Sequence, residues 1–312
     1  MKVTYGIGKV KPPSRPRVLA IGVFDGGHRG HQALIRAAVA QSRRIGGECW
    51  VMTFWPHPFK IIHPEISHPY LMSLDQRLQW LAELGVDQCL VAPFTRRFAR
   101  LDPQTFIRNY LAHKIRPVEV YVGFDFRFGH DREGTLAVFK KAGSSQGFKV
   151  DVVHCVGQQH HKISRSRIRQ LMAGGELKNA ARLLGRPFAV TGRVRPGDRR
   201  GASLGFPTAN MDPRDVVLPP NGVYCVHAGV KGKKYPAIAN VGIRPTIRRT
   251  APAINIETYI LNFHQPLYGQ TLQVEFLHYL RPEKKFASLA DLVSQMRLDE
   301  EAARRYFHLS PA

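Results

Sequence analysis

The sequence predicts an α/β domain followed by a small antiparallel β-barrel with a C-terminal helix. Two observations predict this order. As far as residue 185, apolar runs of strand length alternate with segments of helical periodicity, which is the pattern of a parallel sheet covered by helices on both faces. After Gly185-Arg186-Pro187 the alternation stops, and glycine and proline separate short strand-like runs. We therefore predict two domains, residues 1–185 and 186–312.

The first domain is predicted to contain five strands linked by helices. The strands are residues 18–23, 48–54, 87–94, 118–124 and 148–156. The helices begin after the first strand, at Ser73, at Asp102-Pro103, and at residues 134, 164 and 176. Asp102 is a good capping residue, and proline suits the first helical position. Ligands of such a sheet bind beyond the carboxyl ends of its strands, so the turns there are the first candidates for a site.

The second domain is predicted to contain five short strands and one closing helix. The strands are residues 188–194, 222–230, 234–241, 254–261 and 272–280. Ser288 is predicted to cap the helix, with Asp291 in its first turn. An apolar face, which we predict to pack on the barrel, is formed by Leu289, Leu292, Val293 and Met296.

Charge and composition limit the class of partner. The chain has 312 residues, is 44% hydrophobic and carries a net charge of +23, which favours polyanionic partners such as nucleotides, nucleic acids or anionic membranes. No aromatic-rich RNA-reading motif or zinc finger supports nucleic acid, and no apolar run reaches the roughly 18 residues of a membrane span. Residues 1–16 lack an apolar signal core. We therefore expect no membrane and no nucleic acid, with a generally basic proteome as the alternative explanation of the charge; the oligomeric state stays open.

The four cysteines are far apart in the sequence and lie mostly in strand-like runs: Cys49, Cys89, Cys155 and Cys225. This spacing is not that of a metal site or a disulfide framework. We predict buried free thiols in a reducing compartment, which favours a cytoplasmic protein.

The turn after the first strand carries the clearest functional pattern. Gly26 and Gly27 end the strand, and His28 and His31 follow three residues apart at the start of a helix. Free N–H groups and the helix dipole attract phosphate there, and glycine lets the phosphate approach the backbone closely. Two alternatives are unrelated surface histidines and a zinc site, for which no nearby spacing supplies the third ligand.

Three further motifs fall after predicted strands of the first domain. His57, between two prolines, is either a polar contact to a ligand or structural. Residues 123–129 offer Asp125, Arg127 and three aromatic rings, which suit either a core-forming loop or stacking on a base or a flavin. Residues 162–169 carry three arginines between positions 165 and 169 behind the capping residue Ser164, and form either a solvated helix face or a second anion site.

Two features of the second domain could carry chemistry. Thr208 and Asn210 are two residues apart, so in an extended segment both point to the same side, as hard oxygen ligands of Mg²⁺ would. The alternative is an ordinary turn that enters a strand. Glu257 lies in the middle of a predicted strand, where its carboxylate either faces water or serves as a general base for a hydroxyl nucleophile.

Taken in order, these motifs resemble those of the bacterial bifunctional riboflavin kinase/FAD synthetase family. Residues 22–31 resemble the H-x-G-H motif of the nucleotidyltransferase superfamily, which implies a Rossmann-like fold for the parallel sheet. The FAD synthetase module is matched by residues 56–58, 98–101, 123–129 and 163–169. The riboflavin kinase module is matched by residues 204–210, 222–224, 240–246, 256–257, 267–269 and 281–286. Together the matches span residues 15 to 308.

The resemblance implies two successive reactions on small-molecule substrates, each of which uses ATP. Riboflavin is phosphorylated to FMN in the second domain, and FMN is then adenylylated to FAD in the first. It implies catalytic roles for His28, His31 and Glu257, and Mg²⁺ binding by Thr208 and Asn210. The flavin-binding residues it implies are His57, Phe126, Arg127 and Arg281. The nucleotide-binding residues it implies are Gly22, Phe24, Asp25, Gly26, Gly30, Asp125, Ser164, Ser166, Arg169, Gly205 and Pro207.

The sequence departs from the family pattern at two places. A segment that usually reads Ser-Ser-Thr is Ser164-Arg165-Ser166 here, in which Ser166 still offers a hydroxyl. A Gly-Arg pair that usually precedes the Thr-Ala-Asn motif is Gly201-Ala202, so Arg199 or Arg200 would have to supply the guanidinium. The rival interpretations are another nucleotidyltransferase with the same histidine turn, and a nucleic-acid-binding protein on a decayed enzyme scaffold.

Overall fold

The computed structural model describes residues 1–154, 163–197, 200–213, 215–244 and 253–310, which form two compact units. The first unit comprises residues 1–68 and 74–164, and the second comprises residues 69–73 and 165–312. Residues 165–185 thus pack with the second unit, and the predicted domain boundary after residue 185 stays a prediction.

The first unit is built on a parallel sheet of six strands. The strands are β1 Lys2–Tyr5, β2 Arg17–Ile21, β3 Glu48–Trp55, β4 Gln88–Pro93, β5 Glu119–Gly123 and β6 Lys149–Val153. Their order is β1-β4-β3-β2-β5-β6, and every pair is parallel. The five predicted strands are confirmed over their described residues. The prediction missed β1, a four-residue edge strand without a continuous apolar run, which pairs with β4.

Helices connect the strands of this sheet. They are α1 Arg29–Arg44, α2 Pro58–Ile62, α3 Leu74–Glu83, α4 Arg96–Ala99, α5 Pro103–Thr105, which continues as a π-helical segment Phe106–Ile115, and α6 Leu136–Ser145. Short 3₁₀ turns lie at Ile7–Lys9 and His130–Arg132. The predicted cap at Asp102 is confirmed, because its carboxylate accepts a hydrogen bond from the Thr105 N–H at 2.8 Å. The predicted helix from residue 134 is capped instead by Thr135.

Both faces of the sheet are buried, as the apolar runs predict. Leu19 and Ile21 of β2 belong to one hydrophobic cluster, whereas Val18 and Ala20 belong to another on the opposite face. Strand β2 is paired with β3 on one side and with β5 on the other, so the strand order reverses at β2. The turn that follows β2 and carries His28 and His31, called the histidine turn below, therefore lies at the end of the sheet where such folds bind ligands.

The second unit is a closed antiparallel barrel with four helices among its described residues. The strands are β7 Phe188–Arg195, β8 Thr208–Met211, β9 Gly222–Val230, β10 Lys233–Arg244, β11 Ala253–Ile260 and β12 Thr271–Arg281, in the order β10-β11-β8-β7-β12-β9. The helices are α7 Arg165–Ala173, α8 Leu177–Leu184, α9 Arg200–Ser203 and α10 Leu289–Tyr306. The five predicted strands and the closing helix are confirmed, and β8 adds a sixth strand.

The packing predicted for the apolar face of α10 is wrong for Leu289, whereas Leu292, Val293 and Met296 are half-buried. Leu289 is 68% exposed, and the buried residues of this helix are Asp299, Glu300, Ala303 and Arg304. The guanidinium of Arg304 donates to Glu300 Oε1 at 2.9 Å and to Asn262 Oδ1 at 2.9 Å, so polar contacts anchor the second half of the helix. The first half instead lines a cavity with Leu292 and Met296.

Three cysteines are buried free thiols, as predicted: Cys49, Cys89 and Cys225. Burial raises the pKa of each thiol to about 12, so these thiols stay protonated at neutral pH. The prediction for Cys155 lies outside the described residues. In the part of the chain that is described, no helix combines the length and the apolar character that crossing a membrane requires.

Candidate active sites

The histidine turn is a tight reversal between β2 and α1. Phe24, Gly26 and Gly27 have φ angles of +54°, +80° and +51°, and Phe24 is almost fully buried. A Cβ atom on Gly27 would lie 2.7 Å from the ring of Trp80, so only glycine fits there. A Cβ atom on Gly22 would lie 2.8 Å from the ring of Phe24. The predicted glycines therefore let the backbone fold closely beneath the start of the helix.

The two histidines lie together at the first turn of α1. His28 is the N-cap residue: its Nδ1 accepts a hydrogen bond from the His31 N–H at 3.3 Å. The two rings are stacked, with centroids 3.7 Å apart and planes inclined by 21°. Because Nδ1 of His28 accepts this hydrogen bond, a neutral ring carries its proton on Nε2. His28 is 7% exposed, which rules out an unrelated surface pair.

A buried arginine stabilises the segment that carries the histidines. Arg77 of α3 and Asp25 are both fully buried, with Nη2 of Arg77 3.9 Å from Oδ1 of Asp25. Nη1 of Arg77 donates to Thr53 Oγ1 and to the Phe54 carbonyl, both at 3.2 Å. The hydroxyl of Thr53 in turn donates to the Val23 carbonyl at 2.9 Å. These contacts join α3 and the end of β3 to the segment that carries the histidines.

Sequence reasoning missed Arg77, because an arginine in an amphipathic helix is usually solvated. One signal was present in the spacing. Arg77 lies three residues after Leu74 and four before Leu81, so it falls on the apolar face of α3. A charged residue on that face is a candidate for a buried charge with a partner.

The aromatic loop after β5 divides its residues between core and surface. Phe126 and Phe128 are stacked with centroids 5.4 Å apart, and Phe126 also contacts Phe139 at 5.5 Å. Asp125 and Arg127 are exposed. The core-forming alternative is therefore correct for Phe126 and Phe128 but not for Phe124, which is 38% exposed. Ligand contacts of Asp125, Phe126 and Arg127 stay predictions.

His57 and the arginine-rich segment have local structural contacts. His57 is 4% exposed and caps α2, with its Nδ1 accepting from the Phe59 N–H at 3.1 Å. Helix α7 begins at Arg165 and buries Ile168, as the predicted amphipathic helix requires. Arg169 Nε donates to the Pro69 carbonyl at 2.8 Å within the second unit. The flavin contact of His57 and the nucleotide contacts of Ser164, Ser166 and Arg169 stay predictions.

The barrel contains a cavity of about 450 Å³. It brings together Thr208, Asn210, Glu257 and Arg281, which the sequence analysis identified separately. They meet because of the strand register, in which Asn210 of β8 is opposite Glu257 of β11. Apolar side chains complete the wall of the cavity: Leu204, Phe206, Val223, Ile238, Tyr259, Phe286, Leu292 and Met296. The cavity thus combines the side-chain oxygens of Thr208, Asn210 and Glu257 with an apolar wall, as a site for an amphipathic substrate requires.

An amide links the polar groups of this cavity. Nδ2 of Asn255 donates to Asn210 Oδ1 at 2.7 Å and to Glu257 Oε1 at 3.2 Å. Nearby, Nδ2 of Asn240 donates to Glu283 Oε1 at 3.3 Å. The sequence analysis missed Asn255, although it lies two residues before Glu257 in the same strand and therefore on the same face.

Arg281 joins the end of the barrel to α10. Its Nε and Nη2 donate to the two carboxylate oxygens of Asp299 at 2.8 and 2.7 Å, and Nη1 donates to the Pro282 carbonyl at 2.9 Å. Gln295 Nε2 donates to the same carboxylate at 3.0 Å. This bidentate pair fixes α10 beside the cavity, while the predicted flavin contact of Arg281 stays a prediction.

The turn before β8 holds the remaining predicted nucleotide-binding residues. Gly205 has a φ of +86°, and the Phe206 N–H donates to the Gly201 carbonyl at 2.8 Å. Gly205 and Pro207 are exposed, and their nucleotide contacts stay predictions. The prediction that Arg199 or Arg200 replaces the missing guanidinium at Ala202 lies outside the described side chains.

Comparisons with known proteins cover nearly the whole chain. Residues 10–167 match the family model for FAD synthetase, and residues 184–307 match the model for riboflavin kinase. The bifunctional riboflavin kinase/FMN adenylyltransferase of Escherichia coli (strain K12) is 39% identical over 99% of each chain. The enzyme of the same name from Listeria monocytogenes is 37% identical over 93% of this chain and 92% of its own.

A solved structure has the same fold over the full length. The crystal structure of a protein named as a macrolide-efflux protein from Streptococcus pneumoniae covers 97% of this chain and 99% of its own, with 32% identity and a TM-score of 0.84. The two family models and the full-length relatives agree on the same pair of activities. The chain belongs to the family of bifunctional riboflavin kinase/FMN adenylyltransferases: it phosphorylates riboflavin to FMN and adenylylates FMN to FAD.

Proposed function

We propose that the barrel cavity carries out the phosphorylation of riboflavin and that the histidine turn carries out the adenylylation of FMN. The observation that carries this division is the grouping of Thr208, Asn210 and Glu257 in one cavity of the second unit. His28 and His31 lie in the first unit, at a helix N-terminus suited to phosphate. Each unit thus contains one set of groups, and each set suits one of the two reactions.

In the barrel, Glu257 is the general base for the ribityl 5′-hydroxyl of riboflavin. Its carboxylate takes the proton as the hydroxyl oxygen bonds to the γ-phosphorus of ATP, and the bond between that phosphorus and the bridging oxygen of ADP breaks. Its position in a cavity with an apolar wall supports this role, because the carboxylate is beside the space that the flavin would fill. Asn255 holds one carboxylate oxygen at 3.2 Å and leaves the other available for the proton.

The side chains around Glu257 suit Mg²⁺ by the chemistry of their donors. Thr208 offers a hydroxyl oxygen and Asn210 a carbonyl oxygen, the hard ligands that this cation prefers. Asn210 Oδ1 accepts one hydrogen bond from Asn255, so one of its two lone pairs stays available. Thr208 and Asn210 would hold the cation, and bound Mg²⁺ supplies charge neutralisation at the phosphates.

At the histidine turn, a phosphate oxygen of FMN attacks the α-phosphorus of a second ATP, and pyrophosphate leaves. The reaction needs no protein nucleophile, so the turn acts by stabilising negative charge. The rings of His28 and His31 and the first N–H groups of α1 stabilise that charge. The nucleotide lies against the close-packed backbone of Gly22, Phe24, Asp25, Gly26 and Gly30. Since FMN is the product of the first reaction and the substrate of the second, the reactions occur in this order.

The partners of the protein are small molecules, and its compartment is the cytoplasm. The buried thiols of Cys49, Cys89 and Cys225 support a reducing environment, because none of them is paired in a disulfide. Part of the +23 charge can serve to bind the anionic nucleotide substrates. This part of the charge needs no nucleic-acid partner to explain it.

Two variants assayed on separate half-reactions test the division of labour. We expect His31→Ala to slow the adenylylation of supplied FMN about 10²–10³-fold and to leave riboflavin phosphorylation unchanged. Glu257→Gln should slow riboflavin phosphorylation about 10²–10⁴-fold and leave the adenylylation of supplied FMN unchanged. Each rate is measured by chromatography that separates riboflavin, FMN and FAD.

The matched controls are His63→Ala and Glu65→Gln, since both residues have exposed side chains, 47% and 65% accessible. Both controls should retain both activities. Loss of riboflavin phosphorylation in His31→Ala would contradict the assignment of one reaction to each site.

A further inference from the structure

One side chain in the barrel cavity is neither a proposed base nor a proposed cation ligand, although it contacts one of each. Asn255 lies on β11, two residues before Glu257, and its Nδ2 reaches both Asn210 Oδ1 and Glu257 Oε1. Asn210 belongs to β8 and Glu257 to β11. One amide therefore connects the proposed cation ligand to the proposed proton acceptor across two strands.

The chemistry of the partners fixes the orientation of this amide. A carboxylate and an amide oxygen at these positions only accept hydrogen bonds, so the NH₂ group of Asn255 must face them. Its two hydrogens supply one bond to each partner, at 2.7 and 3.2 Å. Across the sheet, β10 places Gly242 opposite Asn255.

We propose that Asn255 is a positioning residue for riboflavin phosphorylation, which holds the Glu257 carboxylate and the Asn210 amide oxygen in one fixed arrangement. This inference rests on the roles proposed for Asn210 and Glu257. Without the amide, both side chains can rotate about their own bonds, and the proton acceptor no longer keeps its place relative to the phosphates. Proximity of this kind acts on the chemical step, so kcat should change more than the KM for riboflavin.

Three substitutions test whether Asn255 acts as a hydrogen-bond donor or only fills space in the cavity. Asn255→Asp keeps the shape but replaces the donor by a carboxylate, which repels Glu257 and Asn210 Oδ1. Asn255→Ala removes the donor without adding charge, and Asn255→Gln keeps the donor on a longer side chain. We expect kcat to fall in the order wild type, Gln, Ala, Asp. The loss in Asn255→Ala should be about 10- to 100-fold, the rate equivalent of a hydrogen bond to a charged group.

The experiment uses the full chain and measures kcat and KM for riboflavin at saturating ATP and Mg²⁺. A second readout is the binding of ADP with Mg²⁺ by calorimetry, which we expect Asn255→Ala to weaken about tenfold through Asn210. Riboflavin binding, followed by quenching of flavin fluorescence, should stay within about twofold of wild type and so shows that the barrel is folded. The matched control is Asn179→Ala, an exposed asparagine of α8 that contacts Glu176.

The outcomes distinguish this inference from the proposed function. If Asn255→Asp keeps the wild-type kcat while Glu257→Gln loses it, the positioning role is wrong and the general base stands. If Glu257→Gln keeps the wild-type kcat, the proposed general base is wrong, whatever Asn255 does. A fall of kcat in Asn255→Ala, with partial recovery in Asn255→Gln and unchanged riboflavin binding, supports the inference.

Discussion

The histidine turn holds its functional groups along a short stretch of chain, whereas the barrel cavity collects its groups from distant strands. His28 and His31 belong to one helical turn, and the backbone angles of residues 24–27 set their place. In the barrel, Asn210 and Glu257 are 47 positions apart in the sequence and meet because β8 pairs with β11. One site is thus fixed by local backbone conformation, and the other by sheet register.

The two sites are also supported differently. A fully buried arginine, Arg77, braces the histidine turn through contacts with Thr53, the Phe54 carbonyl and Asp25. The barrel cavity relies on side-chain hydrogen bonds at its edge, chiefly those between Arg281 and Asp299, whose side chains are 15% and 10% accessible. Loss of a buried support should destabilise the fold, whereas loss of an edge support should chiefly affect substrate binding.

The largest effect is expected at the buried support. Arg77→Met leaves the Asp25 carboxylate buried without the guanidinium, which should lower the free energy of unfolding of the first unit by about 3–5 kcal/mol. All three tryptophans, Trp50, Trp55 and Trp80, lie in that unit, so tryptophan fluorescence in a urea titration reports its unfolding.

The double variant Arg77→Met with Asp25→Asn is the control, since removing both charges should recover much of the lost stability. Equal destabilisation in the single and double variants would show that the charge of Asp25 is not what Arg77 compensates.

A smaller effect is expected at the edge of the barrel. Asp299→Asn breaks the bidentate pair with Arg281 and loosens α10, whose Leu292 and Met296 line the cavity. We expect the KM for riboflavin to rise about tenfold, equivalent to roughly 1.4 kcal/mol, with FMN adenylylation unchanged. Glu301→Gln changes an exposed carboxylate of the same helix and should leave both activities at wild-type values. An unchanged KM in Asp299→Asn would mean that the position of α10 does not determine riboflavin binding.

The smallest of the three effects tests whether backbone conformation alone sets the histidine turn. Gly27→Ala forces a Cβ atom to 2.7 Å from the Trp80 ring at a φ of +51°. The ring must shift, so we expect about 1 kcal/mol of destabilisation in the same fluorescence titration, together with slower FAD formation. Gly8→Ala is the control, since a Cβ atom there meets no atom within 4 Å. Wild-type FAD formation in Gly27→Ala would argue against a tightly fixed turn.

The contrast between local and distant organisation also explains what the sequence predicts. The capped helix start at His28, the parallel strands and the barrel strands follow from periodicity and turn residues over short stretches. The contact of Asn255 with Asn210 and the bidentate pair of Arg281 with Asp299 depend on which strand lies beside which, and spacing along the chain does not encode that. The burial of Leu289 in α10 was predicted wrongly for the same reason, because periodicity identifies Leu289 as apolar but not whether another element covers it.

The sequence did not predict edge strand β1, for a different reason. Its four residues, Lys2–Tyr5, are too few and too exposed to give an apolar run, and pairing with β4 alone defines the strand. Arg77 shows a third limit, since a buried charge on an apolar helix face is visible in the spacing, but its partners are not.

The central claim is that two independent sets of residues carry out the two reactions in sequence. Mixing two variants that each lack one activity tests it most directly: His31→Ala and Glu257→Gln are incubated, separately and together, with riboflavin, ATP and Mg²⁺. Neither variant alone should form FAD, whereas the mixture should form FMN first and FAD after a lag, because FMN made by one chain is adenylylated by the other. No FAD in the mixture, although His31→Ala accumulates FMN and Glu257→Gln converts supplied FMN, would contradict the account.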